Sequence, residues 1–188
     1  MTEPIPNEKL LEGAKSGDRA AFAALLDLHL EPLRRFLFRL GASDHELDDL
    51  TQEVFVVVIR GLQSFRREAR FSTWLFGIAV NAFRAARRGA ARGRSTDTDD
   101  EAAIATVIDP RPTAEERARD ADESSRMRRA LDGLPLALRE AFVLRHVEEM
   151  EPASAAEVLG VPEGTLRRRV FEARERLRAL LDVPEPIR

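Results

Sequence analysis

The chain has 188 residues, 44% hydrophobic and 34% charged, and its formal net charge of −3 conceals 30 basic against 33 acidic side chains. Ten Phe, one Trp and no Tyr amid plentiful Ala, Leu, Arg and Glu favour helices packed through aliphatic ridges and argue against a β-sandwich or barrel. The absence of Cys excludes disulfide frameworks, thiolate zinc sites and cysteine nucleophiles; with no apolar run long enough to span a bilayer and no signal-peptide pattern in MTEPIPNEKL, a cytoplasmic location is expected.

From Asp18 to Arg88 apolar residues recur at helical spacing, beginning with Phe22, Leu25, Leu26, His29, Leu33, Phe36, Leu37 and Leu40. Pro32 should kink or restart this helix, and Gly41 should end it. Ser43-Asp-His-Glu46 has the form of a capping box opening a second helix, whose buried stripe is Leu47, Leu50, Val54, Val57 and Val58. After Gly61 and the loop from Ser64 to Arg70, Ser72 is placed to cap a third helix that turns Trp74, Leu75, Ile78, Ala79 and Ala82 inward. These segments make one helical lobe, assigned to residues 1–88.

Residues 89–112 lose large apolar groups and gather Asp97, Asp99, Asp100, Glu101 and Asp109 before Asp-Pro-Arg-Pro, the composition of a flexible acidic linker. A second lobe, residues 113–182 with a tail at 183–188, opens on the capping box Thr113-Ala-Glu-Glu116 and continues through helices near 114–132 and 136–147. Glu151-Pro152 and, after Gly160, Val161-Pro162 are paired helix-start signals. The stretch from Pro152 to Leu181 therefore reads as helix, tight turn, longer helix: a helix-turn-helix. The fold class is all-α, two small helical domains joined by the linker.

Three constellations carry chemistry. On the last helix Leu166, Val170, Ala173, Leu177 and Leu180 share the buried side, leaving Gly164, Arg168, Phe171 and Glu175 outward and Arg167, Arg174 and Arg178 along one flank. Arg presents a planar donor fork that suits guanine or phosphate, and an exposed Phe suits a thymine methyl. The competing reading is a solvated helix with pairs Arg168–Glu172 and Glu172–Arg176. Phe65-Arg-Arg-Glu-Ala-Arg-Phe71-Ser-Thr-Trp74-Leu-Phe76, with Asn81, Arg84 and Arg88 sharing a face beyond it, interleaves aromatic and basic groups as single-stranded DNA binding requires. Trp74 itself fits the core better than a stacking platform, whereas Phe65, Phe71 and Phe76 are less easily all buried. Asp44, Asp48, Asp49, Gln52 and Glu53 form a polar face opposite the second helix's stripe, a solvated or protein-contact surface rather than a metal site. His29 and His146 are isolated, and no Ser-His-Asp set or phosphate loop is present, so no catalytic residue, metal or cofactor is expected.

Taken in order, Gly17-Asp-Arg-Ala-Ala-Phe22, Asp49-Leu-Thr-Gln-Glu-Val-Phe55, Ser64-Phe-Arg, Phe71-Ser-Thr-Trp-Leu-Phe-Gly-Ile-Ala-Val-Asn81, Leu134-Pro135, Phe142-Val-Leu-Arg145 and Leu159-Gly-Val-Pro-Glu-Gly-Thr-Leu-Arg167 resemble the signatures of the extracytoplasmic-function group of bacterial sigma factors, in the sigma-70 family. The resemblance implies a promoter-specificity factor without catalysis of its own. It implies that Asp48, Asp49, Gln52, Glu53 and Phe55 dock on the β′ clamp of core RNA polymerase. Phe65, Arg66, Arg67, Phe71, Ser72, Thr73, Trp74, Phe76 and Asn81 would melt the −10 element and hold a flipped base, and Thr165, Arg167, Arg168, Phe171 and Arg174 would read the −35 element from a lobe seated on the β flap. An anti-sigma factor is the implied inhibitor. The chain departs from the family pattern at Phe76-Gly77, where a Tyr-Arg pair is common, at Glu151-Pro152-Ala-Ser, and at Arg168, where many members carry Ser, so an unusual −35 preference is expected. The rival readings are a self-sufficient helix-turn-helix regulator, which lacks an evident dimer surface, and a helical metal-dependent hydrolase built on Asp48, Asp49 and Glu53.

Overall fold

A computed structural model describes residues 6–66, 70–93 and 125–181. Every regular element among them is helical: α1 (Pro6–Lys15), α2 (Arg19–Leu40), α3 (Asp44–Gly61), a 3₁₀ turn (Leu62–Ser64), α4 (Phe71–Gly93), α5 (125–132), α6 (Leu136–Phe142) with a π-helical continuation (Val143–Val147), α7 (Pro152–Leu159) and α8 (Glu163–Leu181).

Helix α1 precedes the helical segment expected from Asp18 onward and buries Leu11 and Ala14 against α2. Asp18 caps α2 by accepting from the backbone N–H groups of Ala20 and Ala21 at 2.8 and 3.2 Å. Helix α2 runs through Pro32 without a restart. The carbonyl its missing N–H would serve belongs to Leu28, which is 47% exposed, and water can satisfy it there; Leu25, His29, Leu33, Phe36 and Leu37 anchor both halves. Gly41 stops α2 at φ 110°, a left-handed cap, and a β-carbon on it would collide with the Arg139 guanidinium.

The capping box forms as its spacing predicts: the Ser43 N–H and hydroxyl both donate to a Glu46 carboxylate oxygen at 2.8 Å. Arg87 of α4 donates to the same carboxylate at 2.8 Å and to the Gly41 carbonyl at 2.7 Å, so this cap also joins α4 to the α2–α3 corner. Burial alone would raise the Glu46 pKa, but these donors outweigh it and hold the carboxyl below its ordinary range. Helix α3 buries Leu47, Leu50, Thr51, Val54 and Val58; Val57, expected in the stripe, is exposed, because the stripe follows Val54 to Val58 one turn apart and leaves Val57 to the side. Helix α4 starts at Phe71, so Ser72 lies inside it rather than capping it, and the Arg70 carbonyl accepts from the Trp74 N–H at 3.2 Å.

In the second lobe Thr113–Glu116 lies outside the described residues, as does the first part of its helix. Glu151 precedes Pro152 at the first turn of α7, and Gly160 at φ 65° ends it. Helix α8 begins at Glu163, one residue after the expected start, with the Pro162 carbonyl accepting from Thr165 and Leu166 at 2.9 and 3.1 Å. Leu166, Ala173 and Leu177 are buried and Val170 half-buried, but Leu180 is 53% exposed because the last turn of α8 runs past the lobe's core and meets only the edge at Gly133. The buried side chains of the two lobes form one contiguous cluster, with α4 lying against α7 and the end of α2 against α6.

Candidate nucleic-acid and partner interfaces

The outward face of α3 is polar at its start and apolar at its end. Asp48, Asp49, Gln52 and Glu53 are exposed, Asp48 pairing with Arg34 of α2. Phe55 is half-buried, and Val56, Val57 and Ile59 are exposed beside it, an apolar extension that a search for charged residues alone overlooks. A recess of about 410 Å³ between α2 and α3 is lined by Leu30, Arg34, Asp48, Gln52, Phe55 and Ile59, among others. A partner helix laid here would meet carboxylates at one end and desolvate aliphatic groups at the other.

The aromatic segment behaves differently from its sequence expectation. Phe65, Phe71 and Phe76 are all buried. Phe65 meets Phe71 edge-on at 5.8 Å and Trp74 at 5.0 Å, while Phe76 stacks on Phe36 at 4.5 Å. They can be buried together because α1 and α2 supply the far wall, including His29, whose ring lies 4.9 Å from Phe71 and whose Nε2 is 3.3 Å from Asn7 Oδ1. Burial lowers the His29 pKa. The loop is tied to α1 by Lys15, whose ammonium donates to the Phe65 carbonyl at 2.7 Å. Trp74 packs on this cluster, as expected, but keeps an open edge.

Of these rings, Phe65 and Trp74 face a recess that also carries polar groups. A recess of about 420 Å³ is lined by Ser64, Phe65, Arg66, Thr73, Trp74, Gly77, Ile78 and Asn81, joined by Glu157 and Val158 of α7. Arg66 and Asn81 are exposed and Ser72, Thr73 and Trp74 half-buried; Arg67 lies outside the described residues. Arg84 does not extend this surface as the shared face suggested. It turns to the second lobe and forks onto Glu140, Nε to Oε1 at 2.7 Å and Nη2 to Oε2 at 2.6 Å. That hydrogen bonding raises the Arg84 pKa, and Glu140 is 1% exposed.

On α8, Arg168, Phe171 and Arg174 project outward, Phe171 being 66% exposed, and Thr165 is half-buried beside them. Arg167 is exposed but pairs with Glu163 at 3.1 Å. Of the two pairs in the solvated-helix reading, Glu172–Arg176 forms at 2.9 Å and Arg168–Glu172 is not found among the described residues; Arg178 pairs with Glu175 at 2.6 Å. The described residues contain no group of three or more His, Asp or Glu that could hold a metal ion, and no described helix is long and apolar enough to cross a membrane.

Residues 25–93 match the Sigma-70 region 2 family and residues 124–177 the Sigma-70 region 4 family. The chain is 31% identical over 182 residues to the ECF RNA polymerase sigma-E factor of Haemophilus influenzae, covering 93% of this chain and 95% of that one. Among solved structures it resembles CnrH in complex with the cytosolic domain of CnrY (TM-score 0.69, 27% identity, 96% of this chain and 100% of that one). It also resembles the sigma factor RpoE in complex with the anti-sigma factor NepR from Bartonella quintana (TM-score 0.68, 27% identity, 87% and 98%). Two helical lobes, one ending in a helix-turn-helix and both matched in order, define a sigma-70 type transcription initiation factor. Within that class the chain belongs to the extracytoplasmic-function (ECF) sigma factors, the group to which its full-length relatives are assigned.

Proposed function

We propose that this chain loads core RNA polymerase onto a specific set of promoters from the cytoplasm, contributing binding energy and strand capture but no catalytic group. In this reading the α3 face of Asp48, Asp49, Gln52, Glu53 and Phe55 docks on the β′ clamp, extended by Val56 and Ile59, and the second lobe sits on the β flap. Arg66, Ser72, Thr73, Trp74 and Asn81 bind the melted −10 strand. Phe65 lines the recess from a buried position, and Phe71 and Phe76 act in the core behind it, holding the loop and α4 in place rather than serving as free stacking platforms. Thr165, Arg167, Arg168, Phe171 and Arg174 read the −35 element in the major groove, where the early side chains of a docked helix reach base edges. The solved relatives, one bound to the anti-sigma factor NepR and one to the cytosolic domain of CnrY, support an anti-sigma factor as the natural antagonist.

The observation that carries the reading is the pairing, on one chain, of a half-open aromatic recess bearing Arg66 and Asn81 with a helix-turn-helix whose Arg168 and Phe171 are presented to solvent. One site suits unpaired bases and the other duplex, the two forms a promoter takes during opening. The net charge of −3 makes tight binding to DNA by the free chain unfavourable, so polymerase must supply further phosphate contacts. Gel filtration with purified core polymerase, followed by permanganate footprinting of a bound promoter, tests this directly. Co-elution and reactive thymines around −10 are expected; co-elution without strand opening contradicts the role given to α4.

A further inference from the structure

We infer that helix α1 is a brace for the −10 site, and that Lys15, by pinning the Phe65 carbonyl, is a positioning residue that sets how Arg66 enters the recess and so which unpaired base the recess accepts. The inference rests on the −10 assignment above and deepens it. Helix α1 precedes residues 25–93, which match the region 2 family, and contributes no side chain to the lining of the recess.

Two contacts join α1 to the aromatic segment. Near its start Asn7 Oδ1 lies 3.3 Å from His29 Nε2, and the His29 ring in turn lies 4.9 Å from Phe71. At its end the Lys15 ammonium donates to the Phe65 carbonyl at 2.7 Å, and the Gln63 side-chain amide donates back to the Lys15 carbonyl at 3.0 Å. Asn7 and Lys15 stand about 12 Å apart along the helix axis, so one rod supports Phe71 and Phe65 together. The rod is firmly seated: Leu11 and Ala14 are buried, and a β-carbon on Gly13 would stand 2.6 Å from Ala21 Cβ, so only glycine allows so close an approach to α2.

Lys15 is not occupied with its own helix. The backbone already closes the last turn of α1, the Ser16 N–H donating to the Glu12 carbonyl at 3.0 Å and the Asp18 N–H to the Gly13 carbonyl at 2.9 Å, which frees the ammonium from the capping role common for a C-terminal Lys. It reaches instead to a carbonyl 50 residues away. Of the 30 Lys and Arg residues only Lys9 and Lys15 are Lys. A compact ammonium on a flexible stem suits a single carbonyl, whereas the Arg fork suits paired acceptors. The consequence for the recess follows from peptide planarity. The Phe65 carbonyl and the Arg66 N–H share one rigid plane and point in opposite directions, so fixing the carbonyl fixes the direction in which Arg66 leaves the loop. Phe65 and Arg66 line the recess and Lys15 and Gln63 do not, so this pair acts on base choice only through the loop.

A promoter library randomised across the −10 element, transcribed by core polymerase carrying each variant, tests this. Lys15→Met should lower the yield from the best promoter about fivefold and flatten the preference at one or two −10 positions. Gln63→Ala, which opens the clasp from the other side, should flatten the same positions more weakly. Lys9→Met removes an equal charge from an exposed position on the same helix and should return the wild-type profile. A wild-type profile from Lys15→Met, even one scaled down, overturns the inference, as does equal flattening by Lys9→Met. Hydrogen exchange on the free chain reads the clasp without polymerase: amides of residues 62–66 should exchange about tenfold faster in Lys15→Met, while those of α6–α8 stay unchanged. Unchanged exchange at 62–66, or faster exchange throughout, also overturns it. Should Lys15→Met fail to fold, Gln63→Ala, an exchange of an exposed side chain, decides by the same two readings. If the wild-type chain shows no −10 preference with core polymerase, the −10 reading itself fails and base selection falls with it, while hydrogen exchange still reports on the clasp.

Discussion

Replacing Arg168 by Ala separates base reading from backbone attraction. Arg168 is exposed on the second turn of α8 and has no side-chain partner among the described residues, so nothing must be broken before it enters the groove. A bidentate Arg–guanine contact discriminates by about 1–3 kcal/mol. At about 1.4 kcal/mol per decade this is roughly a 5- to 150-fold loss at the preferred promoter. Two neighbours provide internal comparison. Arg167 already holds Glu163 at 3.1 Å, and an exposed pair worth about 0.2–1 kcal/mol offsets part of any DNA contact it makes, so Arg167→Ala should cost less. Arg178 lies about 15 Å farther along the axis and is held by Glu175 at 2.6 Å, which leaves it only phosphate to contact. Arg178→Ala should weaken all promoters alike, and mostly at raised salt. A library saturating the −35 positions, transcribed by each variant with core polymerase, reads all three. If Arg168→Ala returns the wild-type base profile merely scaled down, Arg168 does not read bases and the face toward Arg169 becomes the candidate.

Asp49→Ala combined with Gln52→Ala should weaken capture by core polymerase by about 2 kcal/mol or more while leaving the thermal midpoint unchanged, since both are exposed; undiminished co-elution would remove α3 as the docking face. Asn81→Ala should fail on duplex promoters and recover when the −10 region is supplied pre-opened, whereas Phe71→Ala, which empties a buried ring site, should instead lower stability by about 3–5 kcal/mol. Equal loss for Asn81→Ala on both templates would place it outside strand capture. Acid should destabilise the first lobe through His29. Its folded pKa lies below the unfolded value, so the neutral ring is favoured: stability is intact above about pH 6.5 and is lost as pH falls toward the folded value. His29→Leu should flatten the change in urea midpoint between about pH 7.5 and 5.5, and an identical change in both proteins would put the sensitivity elsewhere.

What could be read from residues alone was what local chemistry decides. The left-handed cap at Gly41, the Ser43–Glu46 box and the Gly160 turn each depend on side chains within a few residues of one another. Helix α1 is amphipathic but only ten residues long, and its few core residues, chiefly Leu11 and Ala14, gain their burial from α2. Periodicity gives the direction of a side chain but not what covers it. For that reason Phe65, Phe71 and Phe76 were expected partly in solvent, and Val57 and Leu180 in the core. Arg84 and Arg87 illustrate the larger limit. Their partners, Glu140 and Glu46, lie 56 and 41 residues away, and only tertiary packing around α4 brings them together. The exposed face of α8, with Arg168, Phe171 and Arg174, was legible because a long helix with a clear apolar side leaves its other face determined.

The most direct measurement adds the chain to purified core RNA polymerase with fragmented bacterial genomic DNA and sequences the 5′ ends of the transcripts. Promoter loading through both lobes predicts a small set of start sites, absent with core enzyme alone, preceded by one shared −35 and −10 pair. The same sites should be depleted by Asn81→Ala and redistributed by Arg168→Ala. Transcripts no different from those of core enzyme alone, or start sites sharing neither element, would contradict it.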